Sequence, residues 1–327
     1  MDRTQYAHSC FFGNPKSGKK AIWEITNNCN QNCLHCCNAF RRDHVDISLE
    51  RAKQIVDELC LAGITRIVLS GGEPLLYKHI FELAHYIKQN NIELCFSTNG
   101  LLMEKYKDQL VELNPLKMIV SLDGFSENSH DKFRGVKGCF NSIIRSVDAL
   151  YGKVKIEFHT VINKLNVGEL KQLVDYSASK NIKITFSNLI QMEKNGDSYQ
   201  LSDAEYNFYI ERINHGFESI KKVRSHCGLL SECLAGRSII GITSKGKYTP
   251  CLWISNFSDT FEVDDISKIP DISAMRDDIF PFCRDCTVEN CGAGCAAIVM
   301  GQNIKIDPLC VKNHSDCYRE IDKGGAK

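Results

Sequence analysis

The 327-residue chain carries 40 basic and 40 acidic residues, so its formal net charge is zero, with 43% hydrophobic and 24% charged residues. That length suits one large domain with an appendage, or two domains, and the charge balance leaves no general electrostatic footprint for nucleic acid or an anionic membrane surface. No apolar run approaches the length of a bilayer span, and the opening "MDRTQYAHSC" lacks the apolar core of a secretory signal, so a cytoplasmic protein is expected.

The first predicted element is a strand over Ala21–Thr26, followed at once by "NNCNQNCLHCCNAF". Its thiols must be explained together with the rest of the 17 cysteines. A reducing cytosol does not sustain a disulfide framework, and an odd total leaves a thiol over, so metal ligation is the expected use. Cys29, Cys33 and Cys36 offer three soft ligands from one short loop, suited to an iron–sulfur cluster or zinc. Cys37 adjoins Cys36 and is read as a packed spectator.

Further strands are predicted over Ile64–Ser70, Ile92–Ser97, Leu116–Leu122, Val154–Val161 and Ile182–Phe186, all rich in Ile, Val and Phe as buried parallel strands are. Helical spacing separates them. Ala52, Ile55, Val56 and Leu59 form one apolar stripe, opened by Ser48 and closed by Gly63; Phe140, Ile143, Ile144, Val147 and Tyr151 form another. Six strand–helix units imply a parallel sheet with helices outside, open or curled into a barrel. The polar signals fall where those strands end: "SGGEP" at 70–74, "STNG" at 97–100, "SLDG" at 121–124, and Thr160 with Asn163. In parallel α/β architectures these ends share one face, and ligands bind there.

After a polar break at 191–202, a helix is expected over about Ala204–Val223, and a loop-rich region follows. It runs through Cys227, Cys233, Cys251, Cys283, Cys286, Cys291, Cys295, Cys310 and Cys317. So small a core would draw stability from bound metal. The expected organisation is 1–200 as the α/β core, 201–224 as a bridging helix and 225–327 as the cysteine-rich domain. Cys60 and Cys95 are read as small buried hydrophobes.

The spacing of Cys29, Cys33 and Cys36, His35 before the last of them, and Gly-Gly-Glu after the second strand resemble the radical S-adenosylmethionine (radical SAM) superfamily. The resemblance implies a partial (β/α)6 TIM-like barrel. It also implies a [4Fe–4S] cluster on those three thiolates, with the fourth iron open to S-adenosylmethionine. Gly71, Gly72 and Glu73 would then lie at the methionine amino group, Ser121 and Arg134 at the carboxylate and ribose, and Ser97, Thr98, Asn99 and Asn163 along the nucleoside. Arg134 equally suits a solvated loop position. The later cysteines resemble the SPASM extension, which implies two auxiliary [4Fe–4S] clusters, three clusters in all. Cys227, Cys233, Cys251 and Cys295 would hold the first. Cys283, Cys286, Cys291 and Cys310 would hold the second, with Cys317 competing for the last place. Four residues separate Cys286 from Cys291 where the family usually has five.

The implied activity is reductive cleavage of S-adenosylmethionine to a 5′-deoxyadenosyl radical that takes hydrogen from a substrate, with a donor such as flavodoxin or ferredoxin. A ribosomal peptide or protein substrate is expected first; dehydrogenation or epimerisation of a small molecule such as a sugar or aminocyclitol is the alternative. Only some twenty residues precede the first strand, leaving no room there for a leader-binding module. Leu252 stands where sulfatase-maturing relatives place an acidic base, which disfavours that activity. The substrate-side acid or base is not identifiable. The competing classes are a zinc-ribbon binding protein and a simple electron carrier; neither explains an incompletely ligated loop beside five polar strand ends.

Overall fold

The computed structural model describes residues 18–36, 46–189, 199–202, 205, 208–209, 234–255, 259–279 and 296–301. Six parallel strands follow in chain order: β1 (Lys19–Thr26), β2 (Ile64–Gly71), β3 (Glu93–Thr98), β4 (Lys117–Ser121), β5 (Ile156–Ile162) and β6 (Lys183–Asn188). Each pairs with its chain neighbour. The helices between them include α1 (Leu49–Leu61), α2 (Ile80–Gln89), α3 (Lys107–Leu113), α4 (Cys139–Leu150) and α5 (Leu170–Ser179). The sheet does not close, and the architecture is the expected α/β partial barrel.

One part of the sheet was not legible in the sequence. β7 (Ile239–Ile242) pairs in parallel with β1, and β8 (Tyr248–Thr249) pairs antiparallel with β7, giving an eight-stranded order β6-β5-β4-β3-β2-β1-β7-β8. These strands come from the segment read as almost without periodicity. Two and four residues are too few to show a period, and their stability derives from the partner strand.

Local chemistry explains α1. Ser48 accepts the Arg51 N–H at 3.2 Å as an N-cap, Ala52, Ile55, Val56 and Leu59 are buried, and Gly63 takes a left-handed φ of 74° just past the end. Each of Ile55, Val56 and Leu59 removed from water contributes ~1.5–3 kcal/mol. In α4 the apolar stripe is shorter than its periodicity suggested: the helix ends at Leu150, and Tyr151 is exposed. The expected helix at 204–223 lies almost wholly outside the described residues, as do Cys227, Cys233, Cys283, Cys286, Cys291, Cys295, Cys310 and Cys317.

Side chains alternate across each strand, and the two faces of the sheet differ. Trp23, Ile25, Leu69, Phe96, Val120 and Phe158 enter the main core with the helices. Val68, Cys95 and Ile119 form a separate small cluster with Ile22, on the opposite, inner face. Two residues further along the strands, that inner face turns polar, with Glu24, Ser70, Ser97 and Ser121; His159 and Thr185 extend the same register.

Candidate active site

The cysteine loop leaves β1 at its C-terminal end and is stitched to the end of β2. Gly72 donates its N–H to the Thr26 carbonyl at 2.7 Å, and Glu73 donates to the Asn28 carbonyl at 2.8 Å. A Cβ on Gly71 would lie 2.2 Å from the Thr26 carbonyl oxygen, and one on Gly72 would lie 2.2 Å from that of Asn28. Gly71 also has a φ of 128°. The glycines are thus required by the protein's own backbone. Their bareness lets the second strand end press against the cysteine loop.

Glu73 is fully buried and serves as a peg between β2 and β3. Oε1 accepts from Leu75 N at 3.1 Å and from Thr98 Oγ1 at 2.8 Å, and Oε2 accepts from Asn99 N at 2.8 Å. Burial pushes its pKa up to about 7, against the pull of those donors and of Arg134. Asn99 carries the connection onward. Its Nδ2 donates to Asn30 Oδ1 at 2.7 Å and faces Cys29 Sγ at 3.9 Å, while its Oδ1 accepts from Leu101 N.

The thiols themselves are half-buried and free of disulfides. Burial raises the Cys33 thiol to about 11, Arg134 opposes that, and Cys36 and Cys29 raise it further, so the three sulfurs lie within one another's field. Sulfur acceptors are already being served: Gln31 N–H points at Cys29 Sγ at 3.4 Å and Arg134 Nη1 at Cys33 Sγ at 3.8 Å. Among the described residues no three His, Cys, Asp or Glu side chains converge tightly enough to hold a single metal ion. A cubane cluster takes its thiolates on separate corners, further apart than ligands of one ion, and needs hydrogen bonds to its sulfurs. Three mutually interacting thiols, two with N–H donors in place, fit a cluster better than a lone zinc.

The far wall is built by "SLDG" and "HDKFRG". Ser121 and Ser97 are half-buried on the inner face. Arg134 is buried, not a solvated loop residue, and pairs with the fully buried Asp123. Burial opposes its charge, but Asp123 and Cys33 outweigh that and hold the guanidinium above its ordinary pKa. Burial, with Arg134, holds His130 down to about 3 and His159 well below the usual imidazole range, so both are neutral. His35 lies flat on Phe133 with ring centroids 4.3 Å apart. Asn163 spends its amide on its own turn, donating to the Val161 carbonyl and accepting from Leu165 N.

The sequence did not single out Asp123, Glu24, His130 or His159. Alternation within "IEFHTVI" would have put His159 on the same face as Ser121; the Asp123–Arg134 pairing spans eleven positions and leaves no periodic trace.

Comparison with known proteins completes this picture. The model of the Radical SAM superfamily matches residues 23–177, the segment that builds the cysteine loop and the strand ends. Residues 23–177 are a radical SAM superfamily domain. The "AdoMet-dependent heme synthase" of Methanosarcina barkeri (strain Fusaro) is 24% identical, over 88% of this chain and 95% of that protein. The "Mycofactocin maturase MftC" of Mycobacterium tuberculosis is 24% identical, over 90% and 83% respectively. Among solved structures, Streptococcus suis SuiB bound to S-adenosylmethionine superposes with a TM-score of 0.71 at 18% identity, covering 90% of this chain and 77% of SuiB. The fold is therefore shared with SuiB at low identity, and the radical SAM match, on which the assignment as an enzyme rests, lies in residues 23–177.

Proposed function

We propose that this radical SAM enzyme is a SPASM-type oxidoreductase whose substrate is a ribosomal peptide or protein. The observation that carries the reading is the loop of Cys29, Cys33 and Cys36 fastened to the polar ends of the parallel strands. When bound, the cluster supplies the electron that cleaves S-adenosylmethionine reductively, and the resulting fragment takes hydrogen from the substrate. The chain's own residues hold, orient and exclude water. Cys29, Cys33 and Cys36 would ligate three irons. Gly71, Gly72 and Glu73 would frame the amino group, Ser121 and Arg134 the carboxylate and ribose, and Ser97, Asn99 and Asn163 the nucleoside. The inner face places Glu24 and His159 beside Ser121 and Ser70, so a substrate is oriented among polar groups above an apolar floor of Ile22, Val68, Cys95 and Ile119.

Two auxiliary clusters belong to this proposal. The described residue among their ligands is Cys251, which packs against a small core of Ala235, Ile254, Ile272, Ala296 and Val299. The first proposed set is Cys227, Cys233, Cys251 and Cys295, of which Cys227, Cys233 and Cys295 lie outside the described residues. The second set remains Cys283, Cys286, Cys291 and Cys310, with Cys317 the competitor. The proposed working environment is the cytoplasm, with a flavodoxin or ferredoxin as donor. No helix among the described residues is long and apolar enough to cross a membrane.

The peptide reading draws on the mycofactocin maturase and on SuiB, also solved with its precursor peptide SuiA. Coverage of 95% of the Methanosarcina heme synthase supports a second reading, oxidation of a small molecule of the kind a heme synthase takes. Anaerobic incubation with dithionite and S-adenosylmethionine is expected to release 5′-deoxyadenosine and methionine. Intact clusters without that release would overturn the assignment of activity, and candidate peptides or porphyrins that raise the release separate the two substrate classes.

A further inference from the structure

Resemblance assigns Arg134 to the nucleotide, yet in this protein both terminal nitrogens of its guanidinium already have partners. Nη2 pairs with Asp123 Oδ2, and Nη1 faces Cys33 Sγ at 3.8 Å. Asp123 is fixed in turn from three directions. Its Oδ1 accepts from Val161 N at 2.6 Å, its N–H donates to His130 Nδ1 at 3.0 Å, and its carbonyl accepts from Asn166 Nδ2 at 2.9 Å. The ends of β4 and β5 therefore hold the carboxylate, and the carboxylate holds the guanidinium.

The cysteine loop is bound to the same turn through backbone. Asn32 N donates to the Arg134 carbonyl at 3.3 Å, and Leu34 N donates to that of Phe133 at 2.9 Å. Gly135 sits where a Cβ would be 2.3 Å from the Asn32 carbonyl oxygen, and His35 stacks on Phe133. Residues 32–35 and 133–135 thus form one clamp. The clamp fixes the Arg134 backbone beside the cysteine loop, and Asp123 holds its guanidinium.

We infer that Arg134, locked by Asp123, is a positioning residue for Cys33 that holds a fixed positive charge against this cluster ligand whether or not the nucleotide is bound. The inference rests on the reading that Cys29, Cys33 and Cys36 ligate the cluster. Reduction adds negative charge shared by the ligand sulfurs, so a buried cation and N–H donor at one sulfur stabilise the reduced form and raise its potential. Neutral His130 and His159 leave Arg134 as the cation of this buried group. A guanidinium reserved for the nucleotide's carboxylate would instead leave the nucleotide-free cluster indifferent to it.

The test is an anaerobic redox titration followed by electron paramagnetic resonance, without S-adenosylmethionine, on reconstituted full-length protein. The core signal is the one missing from the Cys29→Ala/Cys33→Ala/Cys36→Ala variant. The double variant Asp123→Asn/Arg134→Gln removes both charges and orphans neither, a change that buried pairs tolerate. It is expected to bind wild-type iron while its core cluster is at least tenfold harder to reduce, about 59 mV for a one-electron couple. Wild-type iron with an unmoved midpoint overturns the inference and leaves the cluster reading standing; a wild-type protein with no core signal overturns that reading instead. Should the double variant not fold, Arg134→Lys, whose single ammonium cannot serve both partners, is expected to shift the midpoint in the same direction by a smaller amount, and an unmoved midpoint there also refutes the inference.

Discussion

Gly72→Ala isolates the contact that joins the glycine motif to the cysteine loop. Its φ is ordinary, so the substitution introduces no backbone strain of its own; the added methyl carbon lands 2.2 Å from the Asn28 oxygen, 2.6 Å from the Asn28 carbonyl carbon and 2.8 Å from the Asn27 oxygen. All three are backbone atoms that no rotamer change can move. Restoring ordinary contact needs a displacement of about 1 Å, which breaks or stretches the bonds from Gly72 N to Thr26 and from Glu73 N to Asn28. Each bond contributes about 0.5–1.5 kcal/mol, and stranding a buried partner costs about 1–3 kcal/mol more, so a loss of roughly 2–6 kcal/mol is expected. Gly168→Ala is the control, because no atom lies within 4 Å of its added carbon and its φ is not left-handed. Urea unfolding of the apoprotein gives the stabilities, and iron per chain after reconstitution reports the loop. Gly72→Ala should lose stability and core iron together, while Gly168→Ala should stay within about 0.5 kcal/mol of wild type. Equal stability and equal iron in the two variants would refute the claim that this close approach shapes the loop.

Three more outcomes follow from the same geometry. Glu73→Gln places an amide donor among partners that all donate, Leu75 N, Thr98 Oγ1 and Asn99 N, and should cost about 1–3 kcal/mol in urea unfolding while loosening Asn99 from Cys29. Burial raises the Glu73 pKa from 4.5 to about 7, so the folded state binds its proton more tightly than the unfolded chain. Its contribution is complete below pH 4.5 and is lost as pH rises to about 7, a fall of about 3 kcal/mol; that slope should vanish in Glu73→Gln, and an unchanged slope would show another group responsible. If the two proposed auxiliary clusters are present beside the core one, Cys251→Ala should remove about a third of the iron with the core resonance retained; loss of the core signal would mean that Cys251 serves the wrong cluster.

What the sequence made legible follows the length scale of its signals. Six strands of five to eight residues, each rich in branched apolar side chains, announce themselves, and so do the three thiols spaced within one loop. β7 and β8 escaped because their four and two residues carry no period and owe their place to β1. The glycines were expected at the methionine amino group of the nucleotide; the structure shows the protein's own Thr26 and Asn28 carbonyls pressed against them. Glu73 and Asn99 were expected to face the nucleotide; the structure shows them stitching three strand ends together, through contacts spanning 25 to 70 positions that no local pattern encodes. Arg134 was equally compatible with solvent or site, and its burial is decided by Asp123, eleven residues away. The later cysteines suggest metal by number and order, and all of them except Cys251 lie outside the described residues.

In the proposed function, one loop at the open strand ends presents three thiolates to a cluster that also binds the nucleotide. The direct measurement is the electron paramagnetic resonance of dithionite-reduced protein with and without S-adenosylmethionine, beside the Cys29→Ala/Cys33→Ala/Cys36→Ala variant. Wild type should show one resonance that changes on adding the nucleotide, and the triple variant should lack that resonance while keeping the others. A nucleotide-sensitive signal that persists in the triple variant would contradict the claim.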